Sequence, residues 1–566
     1  MAYRSLLCLA IMALSSYLAP PVLAAQYVVD QHHPQASDDN PGTAEAPWLT
    51  ISQAAKTVQP GDIATIRAGL YREALTPWAS GTVDAPITFQ AARNEDGTYE
   101  EVIISGADVF TKWEKDGSAW RCTDREYGLK GQTYSDDFTF RREQVMCGGA
   151  QMKQVASREE LQPGTFWIDD EQQKLYVRLP NDDPPDKHVI EVSVRHPLCG
   201  AHGQGPLTDI HLLGLTFRYS CNRAQWGAVG IGSRWLMEDC TVEWTIGCGL
   251  SVSGENYIVR RVKCLHNGQM GMGGSGVNSL IEECEFSDNN WKGFSPDWEA
   301  GGFKLCGTRG IELLRCTALR NVADGMWFDI DDFAGEVRQC RAQHNTRYGI
   351  FIEISGDFLV TNNLCTDNGE VGICVAESRD CYVAFNTCVN NQYGIIVRGY
   401  DLPRSHGGTR YAYRDENVTI RNNLLAYNSA AGFDLHWDWS KVGPDRPESR
   451  TLDADKVGLL LDHNFYVCPD AALVKWTLLP WRERSRTYED IAELREERGL
   501  EHHGIVGQVQ FVDRRAGDYR LTPESAAVAR LAGMRYPAAG MDALVFSPEQ
   551  EPPPHDRPSP WAWSSE

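Results

Sequence analysis

Beyond residue 24 the sequence has no apolar run approaching the roughly 18 residues of a membrane span, so no span is expected there. It also lacks an excess of basic charge: 54 Lys and Arg stand against 77 Asp and Glu, a formal net charge of −23. Such a surface repels a phosphate backbone, which argues against nucleic acid as a partner. The same field disfavours a polyanionic glycan unless a local basic patch or a bound cation reverses it, which favours a neutral substrate. Cys-x-x-Cys pairs and Cys/His clusters at zinc spacing are missing as well, and no zinc is expected. Helical periodicity is absent from the middle of the chain.

What is there begins with MAYRSLLCLAIMALSSYLAPPVLA. Arg4 gives a positive end, Leu6 to Leu18 an apolar stretch, and Val22 and Ala24 a small-residue cleavage pattern. Residues 1–24 are therefore expected to be an export signal, giving a secreted or periplasmic protein that starts at Ala25. Sixteen of the 17 cysteines lie beyond it, where an oxidising compartment could pair them.

Their placement suggests otherwise. Asparagines recur at Asn267, Asn289, Asn321, Asn345, Asn368, Asn391 and Asn428, with gaps of 22, 32, 24, 23, 23 and 37 residues. Five residues before each stands Val262, Cys284, Cys316, Cys340, Asn363, Asn386 or Asn423. Two residues after that position stands Cys264, Phe286, Ala318, Ala342, Cys365, Cys388 or Leu425. Four residues after the asparagine comes Gly271, Gly293, Gly325, Gly349, Gly372 or Gly432; in the Asn391 unit Gly394 is one place early. A repeat of about 23 residues with short β-rich runs is one turn of a β-solenoid. Stacking turns satisfies their bare sheet edges, and aligned asparagines can bond from rung to rung. Cysteines in such a column read as small buried hydrophobes. The two long gaps predict loops leaving the solenoid near 297–302 and 403–413.

With this ladder in place, the sequence resembles the right-handed parallel β-helix superfamily, the pectate-lyase-like fold that houses many glycoside hydrolases. The opening SDDNPGTAEAPWLTISQAAKTVQPGDIATIRAGLYRE is similar to the start of many secreted members, where a short helix, here near Ile51 to Val58, covers the first coil. GGFKL, DGMWFDID and GIFIEIS resemble a poorly characterised subgroup. The resemblance implies an all-β parallel β-helix with an inserted small β subdomain and a short C-terminal helix. The expected parts are a cap with the first coils at 25–110, an antiparallel insertion at 111–196, and the main solenoid at 197–475. A helix and C-terminal cap follow at 476–545, then a Pro-rich tail at 546–566. Thr487 is expected to cap a helix running to Arg498, and VQFVDRRAGDYRLTPESAA to close the solenoid.

Eight residues after the ladder asparagines come Ser275, Asp297, Asp329, Glu353, Ala376 and His436, with Arg398 one step short. Strand alternation turns Met326, Phe328, Ile350 and Ile352 inward, so Trp327, Asp329, Asp331, Phe351, Glu353 and Ser355 are expected on an exposed outer face. The same rule turns Asp434, His436 and Asp438 outward. Asp297, Asp329 and Glu353 would then form a carboxylate column beside an aromatic one, on rungs about 4.8 Å apart. Like charges at that spacing disfavour each other, which gives a reason to suspect a site. Paired carboxylates suit glycoside cleavage: about 5–5.5 Å apart for a retaining enzyme, as for Asp329 with Glu353, or about 6.5–9.5 Å for an inverting one, as for Asp297 with Glu353.

The expected function is hydrolysis of a poly- or oligosaccharide. Glu353 would be the acid/base, Asp329 the nucleophile or base, and Asp297 and Asp331 would orient substrate or water. Trp327 and Phe351 would stack sugars, with Trp298, Trp437 and Trp439 extending the cleft and Arg398 and His436 as more distant contacts. Asp331 and Asp332 read equally well as strand terminators, and Lys304 as an ion-pair partner of the acids. No cofactor is expected for a hydrolase. Resemblance to calcium-dependent lyases of this fold supplies an alternative, in which an Asp cluster ligates Ca²⁺ and Lys304 of GGFKL is the base. Here Lys304 precedes Asp329 and Asp331, whereas in those lyases the ligand coils come first. A non-catalytic glycan-binding solenoid is the third reading.

Overall fold

The computed structural model describes residues 24–129, 135, 137–200, 205–399, 403–406, 409–412, 415–438, 458–479 and 482–525. Most of the expected export signal, the Pro-rich tail and Trp439 lie outside the described residues.

From Gly227 onward each coil is three short strands joined by tight corners. A residue with positive φ opens a corner and a ladder residue follows it: Gln339 (57°) before Cys340, His344 (55°) before Asn345, Asn362 (59°) before Asn363. A side chain in the left-handed region costs of order 1 kcal/mol, so corners need a compensating interaction. The ladder provides it. Asn345 Oδ1 accepts the backbone N–H (3.2 Å) and Nδ2 (2.9 Å) of Asn321, and Asn345 Nδ2 donates to the Ala318 carbonyl at 3.1 Å. The pattern runs unbroken from Asn267 to Asn428. A second ladder at the preceding corner starts with thiols, Cys284, Cys316 and Cys340, and continues as Asn363, Asn386, Asn423 and Asn464.

Stacked coils form three sheets. The first has 13 described strands from Gln26–Val29 to Leu460–Asp462, the second 13 from Gly69–Tyr71 to Ile505–Val506, and the third 11 from Gly227–Ile231 to Arg486–Tyr488. Pairing along them is parallel, except that Arg486–Tyr488 runs antiparallel to Ala472–Leu479. One continuous core fills the interior. None of the sixteen described cysteines is in a disulfide, and most are buried; Cys365 lies beside Cys388 in register as a thiol.

Glycine is part of the ladder mechanism. A Cβ on Gly325 would stand 2.6 Å from the Gly349 carbonyl and 2.8 Å from Asn345 Nδ2. Gly349 and Gly372 are constrained alike. In the Asn289 coil this position belongs to Gly302, whose Cβ would stand 2.1 Å from the Gly325 carbonyl, whereas Gly293 is in open space. Residues 291–300 are therefore an excursion inserted between the asparagine and its glycine.

The antiparallel subdomain runs between Ala107–Val109 and Ile190–Ser193, which pair with each other, and has its own core around Phe166, Leu175 and Val192. It is clamped to the solenoid by Arg142 Nε donating to the Cys221 carbonyl (2.7 Å). Phe140 also packs on Phe294 and Trp298, with ring centroids 5.2 and 5.4 Å away.

At the N-terminal end the expected helix spans Ile51–Thr57, and Thr50 caps it. At the other end two expectations change. The C-terminal helix spans Ile491–Arg498, with Asp490 rather than Thr487 accepting the N-terminal N–H, because Arg486–Tyr488 is committed to a strand. The hairpin Phe511–Asp513 and Asp518–Leu521 does not close the solenoid. Tyr519 and Val509 lie on the outer face of the second sheet against Leu424 and Phe465. Closure comes from Leu494 and Leu500, which join the main core, and from Glu501, which accepts Asn464 Nδ2 and the Tyr466 hydroxyl at 2.7 Å each.

Asn368→Ala removes the acceptor of Asn345 N and Nδ2 and the donor to the Ala342 carbonyl, all buried. At about 1–3 kcal/mol per orphaned group, the variant should lose at least about 3 kcal/mol in a denaturant titration. A third polar ladder, Thr308–Asp332–Ser355–Ser378–Asp415, follows the third sheet. Burial raises the Asp332 carboxyl to about 8, opposed by its bonds from Thr308. A folded-state pKa above the unfolded one favours folding at low pH, and that contribution is lost as pH climbs from about 4 through 8. Asp332→Asn should therefore raise the unfolding midpoint at pH 8.5 and change it little at pH 4.5.

Candidate active site

The third sheet carries the acids. Its strands Asp324–Asp329 and Tyr348–Glu353 alternate as expected: Met326, Phe328, Ile350 and Ile352 enter the main core and Trp327, Asp329, Phe351 and Glu353 point away from it. Asp329 pairs in register with Glu353, one rung apart. From Glu353 the column continues through Ala376, Arg398, His436 and Thr477. Below Asp329 the next position is Cys306, one residue past the Leu305–Phe328 pair.

Asp297 is therefore not in the column. It stands in the 291–300 excursion with its side chain 91% exposed, held by Arg347 Nη1 at 2.6 Å. Counting from the asparagine runs across the excursion; counting four residues from each ladder glycine, Gly302 included, recovers the observed column. Asp331 is likewise off the face. The strand ends at Asp329, and Ile330 and Asp331 turn with φ of 61° and 64°, so the buried acid at this corner is Asp332.

The outer face is covered rather than open. Asp329 is 4%, Lys304 8% and Glu353 9% exposed. Trp327, Tyr348, Phe351, Cys374, Ala376 and Ile396 form a separate apolar cluster outside the solenoid core. Trp327 stacks on Phe351 at 5.4 Å and 19°, and the Lys304 ammonium sits 3.8 Å from the Trp327 ring centre. Both rings are thus occupied by protein neighbours, and the expectation that they stack sugars fails on this geometry. Trp298 packs beneath its loop with Phe140 and Phe294, and Trp437 belongs to the main core.

Lys304 organises the site. It lies in register with Trp327, one column aside, and its chain crosses to put Nζ 2.8 Å from Asp329 Oδ2. Nζ also donates to the Trp298 carbonyl at 3.0 Å. Burial works against the ammonium, but the Asp329 carboxylate outweighs it and the Lys304 pKa lies above its ordinary value. The other Asp329 oxygen, Oδ1, is buried without a hydrogen-bond partner.

Sequence reasoning missed Glu299. Burial raises its carboxyl, a hydrogen bond with Gln225 and then the Lys304 charge oppose the rise, and Asp329 adds to it, so Glu299 is coupled electrostatically to the Lys304–Asp329 pair. It sits next to Trp298 in the excursion, and the signal that pointed there was the 32-residue gap in the ladder. Asp324, at the start of the same strand, is wholly buried and paired bidentately with Arg347 at 2.9 Å for both bonds. Burial lifts its carboxyl to about 6 against the pull of Arg347. On the far side of Glu353, Arg398 Nη1 donates to the Tyr348 hydroxyl at 2.9 Å. His436, three rungs from Glu353, has Nδ1 3.3 Å from Asp434 Oδ2, whose partner oxygen accepts Thr477 at 2.9 Å.

Among the described residues, the convergent metal-ligating group of three is Asp462, His463 and His503, far from this face. Asp297, Asp329 and Asp331 do not converge as a Ca²⁺ cage. No described helix is long and apolar enough to cross a membrane.

Comparisons place the architecture. Residues 226–388 match the family model described as right handed beta helix region. Over 76 residues the chain is 41% identical to the uncharacterized protein YwoF of Bacillus subtilis (strain 168), a match spanning 13% of this chain and 15% of that one. The solved complex of XylC with xylose superposes at a TM-score of 0.62 with 17% identity, covering 86% of this chain and 88% of that chain. The A-module of the mannuronan C-5 epimerase AlgE6 of Azotobacter vinelandii covers 84% of this chain and 95% of its own at 13% identity and a TM-score of 0.42. The chain has the fold of a right-handed parallel β-helix.

Proposed function

We propose that this protein is a carbohydrate-active enzyme, a retaining glycoside hydrolase acting on a neutral poly- or oligosaccharide, with Asp329 as nucleophile and Glu353 as acid/base. One observation carries the reading. Asp329 is a buried carboxylate with one oxygen clamped by Lys304, the other unengaged, and a second carboxyl residue beside it in register. Strands one rung apart, about 4.8 Å, match the roughly 5–5.5 Å that a retaining pair needs. The wider Asp297–Glu353 pair that would suit inversion has no support, since Asp297 lies in the excursion. XylC, the fold neighbour above, is solved with xylose, which is consistent with a neutral sugar.

Lys304 counts against the lyase alternative. A general base must shed its proton near neutral pH, and this ammonium is stabilised by Asp329, by the Trp298 carbonyl and by the Trp327 ring. A purely glycan-binding solenoid is disfavoured because the aromatic faces are already covered.

The test starts from a panel of aryl glycosides and oligosaccharides. Asp329→Asn should reduce turnover to background. A 2-fluoro sugar with a good leaving group should label Asp329, as read by peptide mass, and the first-formed product should keep its anomeric configuration. Glu353→Gln should lose about 10²–10⁴-fold on unactivated glycosides and much less where the leaving group needs no acid. Inverted products, or products absorbing in the ultraviolet through a new double bond, would sink the reading. Lys304→Met should lower kcat by about 10²-fold through a misplaced nucleophile while leaving KM within a few-fold; an unchanged kcat would remove Lys304 from the site.

A further inference from the structure

The last coil ends in a corner unlike those before it. Asp462 finishes the strand Leu460–Asp462, and His463 (φ 64°) takes the left-handed place that Asn422 (φ 57°) fills one coil earlier. Against this corner lies the segment following the C-terminal helix, which carries His503. Asp462 Oδ1 accepts the backbone N–H of His463 at 2.8 Å and of His503 at 2.7 Å, which fixes the carboxylate. Its Oδ2 then meets both imidazoles: Nδ1 of His503 at 2.8 Å and Nδ1 of His463 at 3.0 Å. The two rings stack with centroids 4.3 Å apart and planes at 22°.

Hydrogen bonding explains only one of these contacts. His503 Nδ1 meets its geometry, but His463 Nδ1 is buried at the same oxygen and makes no hydrogen bond. Two imidazole nitrogens and a carboxylate oxygen lie within 4.8 Å of one another. A zinc-type ion holds such atoms at about 2.0–2.2 Å, which separates cis ligands by about 2.8–3.6 Å between octahedral and tetrahedral angles. The observed 2.8 and 3.0 Å fall at the short end of that range. Imidazole with carboxylate selects a borderline first-row cation over Ca²⁺ or Mg²⁺, which take oxygen ligands.

We propose that Asp462, His463 and His503 form a structural site for a divalent transition cation of the zinc type, stapling the C-terminal cap segment to the last coil. The corner supplies two ligands from adjacent residues and the cap supplies the third from 40 residues further on. Bound metal therefore closes the solenoid next to the Glu501–Asn464 contact that ends the amide ladder.

The experiment uses the full chain, stripped with a chelator, dialysed, and titrated with Zn²⁺ by calorimetry while bound metal is counted by elemental analysis. One Zn²⁺ per chain and an unfolding midpoint raised by several degrees are expected, with no rise for Ca²⁺ or Mg²⁺ at equal concentration. His503→Ala lies at an exposed position, and His463→Asn installs the residue of the preceding corner. Each should weaken Zn²⁺ binding at least about tenfold and abolish the thermal rise, while matching the parent's midpoint in chelator. A folded parent that binds no Zn²⁺, or variants that bind it as the parent does, would overturn the proposal.

Discussion

The bond from one ladder asparagine to the next governs everything above it. Asn321 gives both its backbone and side-chain N–H to Asn345 Oδ1, so neighbouring coils are locked at one corner, residue against residue. A slip of one position in a parallel pair would exchange inner and outer faces of the strand. It would drive Asp329 and Glu353 into the main core and turn Phe328 and Ile352 out. The amide ladder forbids that slip because each asparagine is buried and would lose its partners. The glycine four residues on lets the amides approach, and the same constraint makes the carboxylate column collinear.

The ladder was legible in the sequence because each part of it has an obligate chemistry. Only asparagine both accepts from the amides and donates to a carbonyl of the coil before it while donating to the asparagine of the coil after it, so it recurs. The register of Asp329 and Glu353 followed from it directly. Asp297 did not, because an excursion can enter between the asparagine and the glycine without disturbing either ladder. The glycine is the better origin for counting, since Gly302 is fixed by the close approach of the Gly325 carbonyl, while Gly293 stands in open space and answers only to its own φ of 76°. Strand alternation correctly separated inner from outer residues. It carries no information on what lies over the outer face, so Trp327 and Phe351 read as platforms when they are packed. Glu299 and the Asp462–His463–His503 group escaped for another reason: their partners come from segments that only the folded chain brings together, and no local spacing marks them.

The inserted subdomain shows how a solenoid acquires a walled site. Sheet faces of a β-helix are flat and wet on their own. Here Phe140 of the insertion packs on Phe294 and Trp298 of the excursion, and the excursion delivers the Trp298 carbonyl to Lys304 and Glu299 to the acid cluster. Water is thereby excluded from the Asp329 side of the column, where interactions between charges are strongest. Tyr348 and Arg398 border the other side of Glu353, with Ala376 as the small residue between Glu353 and Arg398 in the column.

Lys304 and Trp327 are best understood together. An ammonium has three N–H groups, and here two have acceptors, Asp329 Oδ2 and the Trp298 carbonyl, while the Trp327 ring lies 3.8 Å away to take the third through its negative face. Phe351 supports the opposite face of that ring. The aromatic column is therefore the seat of a cation, and the cation is the anchor of a single carboxylate oxygen. Burying a carboxylate with one bare oxygen is unfavourable, by about 1–3 kcal/mol or more for an orphaned buried group. A chain selected only for stability would place a second donor there, and the backbone and hydroxyl donors used at Asp332 show that the fold has them at hand. At Asp329 it has instead fixed one oxygen and left the other bare, and the proposed nucleophile rests on that asymmetry.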